Sequence, residues 1–467
     1  MFDHGEVIFR RIKPEQKESV ARIHQTFLDA KLDQKGIVET VLRADGDLEH
    51  RKLVISYPHE WPANMYKDAV LFHLRLFSEL EKAHLTLKDA LPNNILFDCT
   101  TPSFIDFLSV VPPEQLDEEE WLDSGGYEDR RFAVVDRMLL PYMVLPLLFL
   151  ARDEQKIARE LLSIRACNTS GTPPSWRELI NLPARRSGYA LRGYVRGLLL
   201  VARLRILKRR LPRLQGRVFL ETIDELSRLV AGVDVTPPLS GYSSYYDEKR
   251  EQLSLADPVV FLPKQKAVYE LLHAERPARV LDIGANTGWY SSLAASLGSS
   301  VIALEQDESC VDILYRKAKG RQLRILPLRV GFSDLKTEIY SSRDLAREYP
   351  DRQIGTIPLY RAGLERFQAD LVLVLGLVHH LVLGEGRTLE EVFEIFGKLA
   401  RKVLVLEFVC LDDEKIVNEP TFFANLDRSD ATTYNLDRAR EIGRRHFSSV
   451  EIRDSHPETR KILIFRK

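Results

Sequence analysis

The segment from Arg279 to Gln306 constrains the fold of this chain more than any other. A short apolar run, Val280 to Ile283, is followed by a glycine-containing turn, a helical pattern, and a second apolar run that ends at Leu304. Strand, tight turn, helix and strand in this order predict one parallel βαβ unit. Ligands of such units bind beyond the carboxyl ends of the strands, so the first turn is a candidate ligand site.

The spacing within this turn separates two kinds of nucleotide site. Dinucleotide-binding folds have G-x-G-x-x-G here, whereas this turn has D-x-G-x-N-x-G, formed by Asp282, Gly284, Asn286 and Gly288. Glycine lacks the Cβ that blocks close approach of a ligand to the backbone. Glu305 ends the second strand, where a carboxylate offers paired acceptors to two ribose hydroxyls. A turn without ligand and a dinucleotide site are the alternatives, and this combination of residues disfavours both.

The same combination resembles the first two motifs of class I S-adenosylmethionine-dependent methyltransferases. The resemblance implies an α/β fold, with a Rossmann-like seven-stranded sheet that ends in a C-terminal antiparallel hairpin. It implies S-adenosyl-L-methionine as the cofactor and no metal. It also implies these cofactor-binding residues: Asp282 near the methionine moiety, Gly284, Asn286 and Gly288 in the turn, and Glu305 at the ribose.

Three further cofactor contacts follow from the resemblance. The family often places an acidic residue after the third strand, here Leu323 to Val330, to bind adenine. That position is Gly331 in this chain, so Phe332 is the expected adenine contact. In the segment before the first strand, Tyr246 and its tyrosine neighbours can stack on adenine or remain ordinary core or surface aromatics. Lys266 is a candidate for the methionine carboxylate.

A second informative segment is the apolar run from Asp370 to Val378, which predicts a strand covered on both faces. His379 and His380 follow it directly, as histidines do in several small-molecule methyltransferases that it resembles. An imidazole at this strand end can accept the proton of an attacking hydroxyl or amine, which makes both histidines catalytic candidates. The alternative is a structural histidine bonded to a backbone carbonyl. No Asp/Glu/His cluster at metal-ligand spacing accompanies them, so no metal is expected.

Residues 1-112 carry a different pattern. Asp89, Asn94 and Asp106 flank a predicted strand pair and resemble the catalytic segment of aminoglycoside-phosphotransferase-like kinases. Residues 1–60 contain neither a glycine-rich phosphate loop nor a strand with the ATP-binding lysine. A degenerate kinase-like α+β remnant is therefore expected, with an active kinase and a chance match as alternatives. A strand is also predicted over Lys52 to Ser56.

The two ends of the chain together resemble bacterial methyltransferases of the nodulation-protein type. The residues that carry this resemblance are Tyr57, Pro58, Glu60, Trp61, Leu87, Lys88, Asp89, Ala90 and Asn94, followed by the methyltransferase-like domain. The expected organisation is a kinase-like remnant over 1-112, a helical connecting region over 113-240, and a class I methyltransferase domain over 241-467.

The connecting region contains a basic helix that admits several partners. Arg185 to Arg217 includes eleven Lys or Arg and no acidic residue, with leucines between them. Such a helix can bind nucleic acid, anionic lipid or an acidic carrier protein, or simply pack by its apolar face, which is the favoured interpretation. The whole chain has a net charge of -1, with 67 basic and 68 acidic residues, so no global field selects a polyanion.

Composition bounds the remaining expectations. The four cysteines form no C-x-x-C pair, which favours a reducing compartment. The apolar stretch Met138 to Ala151 has 14 residues and two prolines, too short to predict a membrane span, and a cytoplasmic location is expected. The predicted activity is methyl transfer to an oxygen or nitrogen of a small-molecule or carrier-bound acceptor. An RNA or protein acceptor and a non-catalytic cofactor-binding scaffold remain as alternatives, and the oligomeric state is open.

Overall fold

The computed structural model describes residues 2–4, 7–119, 126–162, 191–244, 258–336, 361–418 and 432–467. Two compact units divide the chain, Met1–Pro237 and Pro238–Lys467. The predicted regions 1-112 and 113-240 both fall in the first unit, apart from residues 238–240, and their separation stays a prediction. The expected start of the last domain at residue 241 lies close to the boundary between the units. Tyr245 and Tyr246 lie outside the described residues.

The first unit begins with a four-stranded antiparallel sheet in the order β1-β2-β4-β3. The predicted strand over Lys52 to Ser56 is wrong, because the strand in this region ends at Arg51. Two short strand pairs follow, one of which is the hairpin of β6 and β7 that the sequence predicts before Asp106. The strands are β1 Phe2–His4, β2 Val7–Arg10, β3 Thr40–Leu42, β4 Leu48–Arg51, β5 Thr86–Leu87, β6 Ile95–Asp98, β7 Thr101–Phe104 and β8 Val110–Val111.

Helices make up most of the rest of this unit. Helix α2 is apolar on one stripe, and its Phe77 meets Phe219 of α6 edge to face, with ring centroids 5.9 Å apart. Such aromatic pairs favour a fixed packing of the two helices. The helices are α1 Lys17–Asp29, α2 Ala63–Glu81, α3 Arg130–Ala151, α4 Gln155–Leu162, α5 Leu191–Arg210 and α6 Phe219–Ala231.

Helix α3 is longer than the apolar stretch suggested by the sequence. It spans 22 residues because a π-helical segment, Val135–Val144, accommodates Pro141 without ending the helix. Among the described residues it is the one helix long and apolar enough to cross a membrane. Most of its apolar window is buried, as in the core helix of a globular domain.

The basic helix α5 packs by its apolar side. Val201, Leu204 and Leu207 are buried, while the Lys208 ammonium pairs with Asp136 at 2.8 Å. This arrangement supports the interpretation of a packed amphipathic helix with solvated basic residues.

The second unit is built on one sheet, which has seven strands in the described residues. Its order, β11-β10-β9-β12-β13-β15-β14, places the first strand of the βαβ unit, β9, next to the central strand β12. All pairs are parallel except those of β15, which runs antiparallel to both neighbours and forms the predicted C-terminal hairpin. The strands are β9 Arg279–Ile283, β10 Ser300–Glu305, β11 Ile325–Arg329, β12 Ala369–Val374, β13 Ala400–Val409, β14 Ser449–Asp454 and β15 Arg460–Arg466. This mixed sheet fits the α/β fold of a class I methyltransferase.

Helices cover the sheet and complete its core. Leu281, Val372 and Leu404 lie on neighbouring central strands and are fully buried, as expected for strands covered on both faces. The helices are α7 Pro263–Glu275, α8 Trp289–Ser296, α9 Glu308–Gly320, α10 Gly363–Arg366, α11 Leu389–Leu399, α12 Glu414–Asn418 and α13 Leu436–Gly443.

Strand β12 is shorter than its apolar run. It ends at Val374 because Gly376 has a φ of +68°, a backbone conformation that ends the strand. The chain then turns into a short π-helical segment, His380–Gly384. The two histidines therefore lie at the far end of a loop and not directly on the strand.

Candidate active site

The turn after β9 is fixed to the neighbouring strand by its own backbone. The N–H groups of Gly284 and Ala285 both donate to the carbonyl of Leu304, over 2.9 and 3.0 Å. Gly284, Asn286 and Gly288 all have positive φ, between +51° and +76°, which explains two glycines and an asparagine at these positions. The D-x-G-x-N-x-G spacing thus encodes a tight turn at the carboxyl edge of the sheet.

Gly288 has a packing role in addition to its backbone role. A Cβ built on it would lie 2.2 Å from Leu314 Cδ1, so any larger residue at 288 would force the buried Leu314 side chain of α9 to move. Gly288 is not among the described residues that line the cavity below, whereas Gly284 and Asn286 are. A direct cofactor contact from Gly288 stays a prediction.

Asp282, at the end of β9, is a deeply buried acid. It is 3% exposed, and the Ser291 hydroxyl of α8 donates to its Oδ2 over 2.6 Å. Burial raises the pKa of Asp282 to about 6, and the nearby negative charge of Glu305 adds to the rise. The carboxylate is therefore costly to keep ionised and easily stabilised by a cationic ligand.

Glu305 ends β10 with its carboxylate held in a fixed orientation. The backbone N–H of Asn286 donates to Oε2 over 2.8 Å, and that of Asp307 donates to Oε1 over 2.9 Å. Burial also raises the pKa of this carboxyl above its usual range. Each carboxylate oxygen has a second lone pair, so both can still accept a hydrogen bond from a ligand.

These residues line one cavity of about 560 Å³ at the carboxyl edge of the sheet. That volume lies within the range of sites for small molecules and cofactors. Beyond the turn, the lining includes Gln306 and Phe332 on one side and His379 and His380 on the other. The structure thus brings together Asp282, Gly284, Asn286, Glu305, Phe332 and both histidines around a single space.

Phe332 follows β11 and forms an apolar wall of the cavity. Its ring meets Phe396 edge to face at 5.6 Å, and it is 5% exposed. Next to it, the N–H of Gly331 donates to Asp334 Oδ2 over 2.8 Å. Tyr242 is the described tyrosine of the preceding segment; it lines the cavity, and its carbonyl accepts from Asn286 Nδ2 over 2.9 Å.

The two histidines differ in accessibility. His379 is 2% exposed, whereas His380 is half-buried, and their ring centroids are 4.2 Å apart. Burial, with the positive charges of Lys415 and Arg460, lowers the pKa of His380 to about 4. For His379, burial has the largest effect and lowers the pKa to about 2. Both imidazoles are therefore neutral at pH 7, and His380 is the more accessible of the two.

Sequence reasoning missed a buried ion pair beside the turn. Lys264 Nζ donates to Glu407 Oε2 over 2.7 Å, and the Ser455 hydroxyl donates to Oε1 over 2.9 Å. Glu407 is fully buried on β13, and Lys264 lines the cavity. Lys266, the lysine proposed from the sequence, is exposed two residues further along α7.

A second missed group lies beyond the histidines. Arg460, at the start of β15, donates to the buried Asp413 through Nε at 2.8 Å and Nη2 at 3.0 Å. Lys415, two residues after Asp413, also lines the cavity. Asp413 and Arg460 are far apart in sequence, so no local motif predicts that they pair. In the described part of the chain, no group of three or more His, Cys, Asp or Glu is arranged to hold a metal ion.

The kinase-like residues of the first unit are engaged with one another and with the protein. Arg10 Nη1 donates to Asp106 Oδ1 at 2.5 Å, and the Ser109 hydroxyl also donates to this carboxylate. Asp89 Oδ1 accepts from the N–H of Leu91 over 3.1 Å, which fixes the loop. An arginine thus neutralises the carboxylate that corresponds to a metal ligand in the kinases that this segment resembles.

One relative and several solved structures are similar to this chain, while no protein-family model matches it. Nodulation protein NoeA of Rhizobium meliloti (strain 1021) is 26% identical over 378 residues, which cover 78% of this chain and 70% of NoeA. The predicted similarity to the nodulation-protein type is thereby confirmed. The kinase-like remnant is not shown by this similarity and stays a prediction.

The similar structures include methyltransferases. Monomeric WbdD matches with a TM-score of 0.27 and 15% identity, over 43% of this chain and 40% of WbdD. Magnesium protoporphyrin IX methyltransferase from Synechocystis PCC 6803, crystallised with S-adenosylmethionine, matches with a TM-score of 0.27 and 15% identity, over 43% of this chain and 77% of that enzyme. At such values the fold assignment depends on the strand order described above and not on these likenesses.

Proposed function

We propose that this protein is an S-adenosylmethionine-dependent methyltransferase that acts on an oxygen or nitrogen of a small-molecule or carrier-bound metabolite. The observation that carries the proposal is the shared cavity at the carboxyl edge of the sheet, where Glu305 and the turn around Gly284 face one space. In open α/β sheets this edge is where ligands bind.

The residues present fit the cofactor in charge and in hydrogen bonding. S-adenosylmethionine supplies a methyl group on a positively charged sulfur. Asp282 and Glu305 provide the negative charge that such a cation requires, and both oxygens of Glu305 retain acceptor capacity for ribose hydroxyls. Phe332 provides an apolar surface for adenine, and Lys264, which pairs with Glu407, has further N–H donors for a carboxylate.

The sheet order supports a placement of the two reactants at opposite ends of the cavity. Glu305 ends β10, the turn follows β9, and the histidines follow β12, so these groups lie in a row across neighbouring strands. A cofactor over β10 and β9 leaves the space beside β12 and β13 for the methyl acceptor. Most of the catalysis would then be the alignment of the two reactants.

His380 lies where the acceptor is expected. Its imidazole is neutral at pH 7 and can donate or accept a hydrogen bond that orients the attacking atom. A role as general base for His379 or His380 remains a prediction. The low pKa of each ring makes it a weak proton acceptor for a hydroxyl or amine.

The first unit is proposed to contribute recognition or scaffolding and not phosphoryl transfer. The Arg10 to Asp106 ion pair supports this assignment, because a carboxylate neutralised by an arginine is a poor ligand for magnesium. The burial of Val201, Leu204 and Leu207 on α5 supports a packed helix, and no observation on the described residues favours an RNA or protein acceptor over a metabolite.

Calorimetric titration of the full chain with S-adenosylmethionine, and separately with magnesium-ATP, tests the proposal. We expect micromolar binding of S-adenosylmethionine alone, with at least a tenfold loss of affinity in Glu305→Gln, because the amide nitrogen cannot accept the hydrogen bonds of the carboxylate. Asp370→Asn is the matched control, since Asp370 lies on the same sheet at its opposite edge. Binding of ATP alone would overturn the proposal.

A further inference from the structure

The acceptor end of the cavity is lined by cations from two segments. Lys415 lies in α12, which follows β13, and Arg460 is the first residue of β15. These strands are neighbours in the sheet and lie on the far side of β12 from Glu305. Neighbouring strands are about 4.8 Å apart, so the three steps from β10 to β13 separate the two ends of the cavity by about 14 Å.

Buried Asp413 holds both cation-bearing segments in place. Its carboxylate accepts from Arg460 Nε at 2.8 Å and Nη2 at 3.0 Å, from the Thr459 hydroxyl at 2.7 Å, and from the backbone N–H of Lys415 at 3.1 Å. Burial alone would raise the pKa of Asp413, but hydrogen bonds from Arg460 and Thr459 outweigh this effect and lower the pKa to about 2. The arginine is thus oriented by a permanently ionised partner while it lines the cavity.

Among the described groups at this end, Asp413 carries one negative charge against the two positive charges of Lys415 and Arg460. His379 and His380 are neutral at pH 7, because burial and the charges of Lys415 and Arg460 lower their pKa values. Glu385 also lines the cavity on this side, and Arg387 pairs with it at 3.2 Å. A partly desolvated space lined in this way favours a negatively charged group.

We propose, given the function proposed above, that the methyl acceptor presents an oxyanion, a carboxylate or a phosphate, to the end of the cavity lined by Lys415, Arg460 and His380. The oxyanion attacks the methyl carbon as it stands: the new oxygen–carbon bond forms while the sulfur–carbon bond breaks, and the electron pair of the broken bond stays on sulfur. One negative and one positive charge are lost together, and no proton moves.

This chemistry agrees with the state of the histidines. A neutral hydroxyl acceptor would need a base, and the imidazoles here hold a proton poorly. An oxyanion needs none. The neutral His380 ring carries one N–H, which can donate to the bound anion and help the two cations orient it.

The test measures binding of small probes to the protein saturated with S-adenosylhomocysteine. Benzoate and phenyl phosphate represent the two sources of an oxyanion, and benzyl alcohol is the neutral control; ligand-observed NMR at fixed ionic strength gives their affinities. We expect at least one anion to bind more tightly than benzyl alcohol, and Lys415→Gln to weaken that anion about tenfold or more. Lys398→Gln, on the surface of α11, is the control and should change neither affinity.

The outcomes separate this inference from the proposed function. Preference for benzoate or for phenyl phosphate identifies the carboxylate or the phosphate as the acceptor group. Equal affinities for benzyl alcohol and both anions, or an anion affinity unchanged in Lys415→Gln, would overturn the oxyanion inference. Failure of the unmodified chain to bind S-adenosylmethionine in the separate titration would instead overturn the methyltransferase proposal.

Discussion

Asp282→Asn should stabilise the second unit at neutral pH while it weakens cofactor binding. The Asp282 carboxyl is 3% exposed, and burial raises its pKa from 3.8 to about 6. Because the folded-state pKa lies above the unfolded value, the native state binds the proton more tightly. Ionised Asp282 therefore destabilises the fold, fully above about pH 6 and no longer below about pH 4.

The size of the effect follows from the same two pKa values. At about 1.36 kcal/mol per pH unit, the rise corresponds to about 3 kcal/mol of lost stability near pH 7.5. Near pH 4.5 the same relation gives a destabilisation by Asp282 of only about 1 kcal/mol. Asparagine has the same shape, stays neutral, and keeps an oxygen that can accept from Ser291. The substitution should thus recover at most about 3 kcal/mol at pH 7.5 and about 1 kcal/mol at pH 4.5.

The assay is urea unfolding of the full chain, monitored by hydrogen exchange of peptides from residues 279–305. These peptides report the unfolding of the second unit separately from that of the first. Asp370→Asn is a control of opposite sign. Burial alone would raise the pKa of Asp370, but hydrogen bonds from the Arg279 N–H and from Lys402 outweigh this effect and lower the pKa. The ionised Asp370 carboxylate therefore stabilises the fold at neutral pH, and this stabilisation is lost as pH falls. If Asp282→Asn were neutral or destabilising at pH 7.5, or if its effect did not depend on pH, the reasoning would be refuted.

Two further substitutions test the structure around the site. Gly288→Ala should destabilise the second unit by about 2–5 kcal/mol in urea unfolding, because alanine is strained at positive φ and its Cβ overlaps Leu314. Gly298→Ala is the control: its φ is also positive but its surroundings are open, so it should lose only about 1–2 kcal/mol. Equal losses in the two variants would contradict the packing role of Gly288. Lys264→Met should lower the free energy of unfolding by about 3–5 kcal/mol, because it leaves Glu407 buried without its cation. Lys266→Met, on the exposed side of the same helix, should change that free energy by about 0.5 kcal/mol or less. A similar effect of both substitutions would show that the ion pair contributes little.

The sequence predicted those parts of the fold that depend on local patterns. The βαβ unit and the third strand follow from apolar periodicity and turn residues, and their bounds differ from the prediction by a few residues. The end of β12 was predicted too late, because a continuous apolar run does not reveal that Gly376 adopts a positive φ. The predicted strand over Lys52 to Ser56 failed similarly, since hydrophobicity there does not lead to strand pairing.

The site was predictable only in its local half. Asp282, Gly284, Asn286 and Glu305 belong to one βαβ unit, so their spacing carries the information. Lys264 and Glu407 are 143 residues apart, and Asp413 and Arg460 are 47 apart. Only the antiparallel return of β15 brings the latter pair to the same edge. The sequence likewise could not show that burial lowers the pKa of both histidines, because desolvation depends on the packed surroundings.

The way in which each buried acid is held distinguishes structural from ligand-binding carboxylates. Asp106, Asp413 and Glu407 are each paired with an arginine or lysine, so their charge is already neutralised within the protein. In the described part of the chain, Asp282 and Glu305 instead receive hydrogen bonds from a hydroxyl and from backbone N–H groups.

Neutral donors orient a carboxylate without removing its charge, and burial raises the pKa values of Asp282 and Glu305. A cationic ligand at this end of the cavity would lower both pKa values. It would thereby remove the destabilisation that ionised Asp282 causes in the ligand-free protein. At the opposite end, Lys415 and Arg460 carry two positive charges against the single negative charge of Asp413, and they face neutral histidines. The two ends of the cavity therefore favour reactants of opposite charge, which is the arrangement that transfer of a methyl cation to an oxyanion requires.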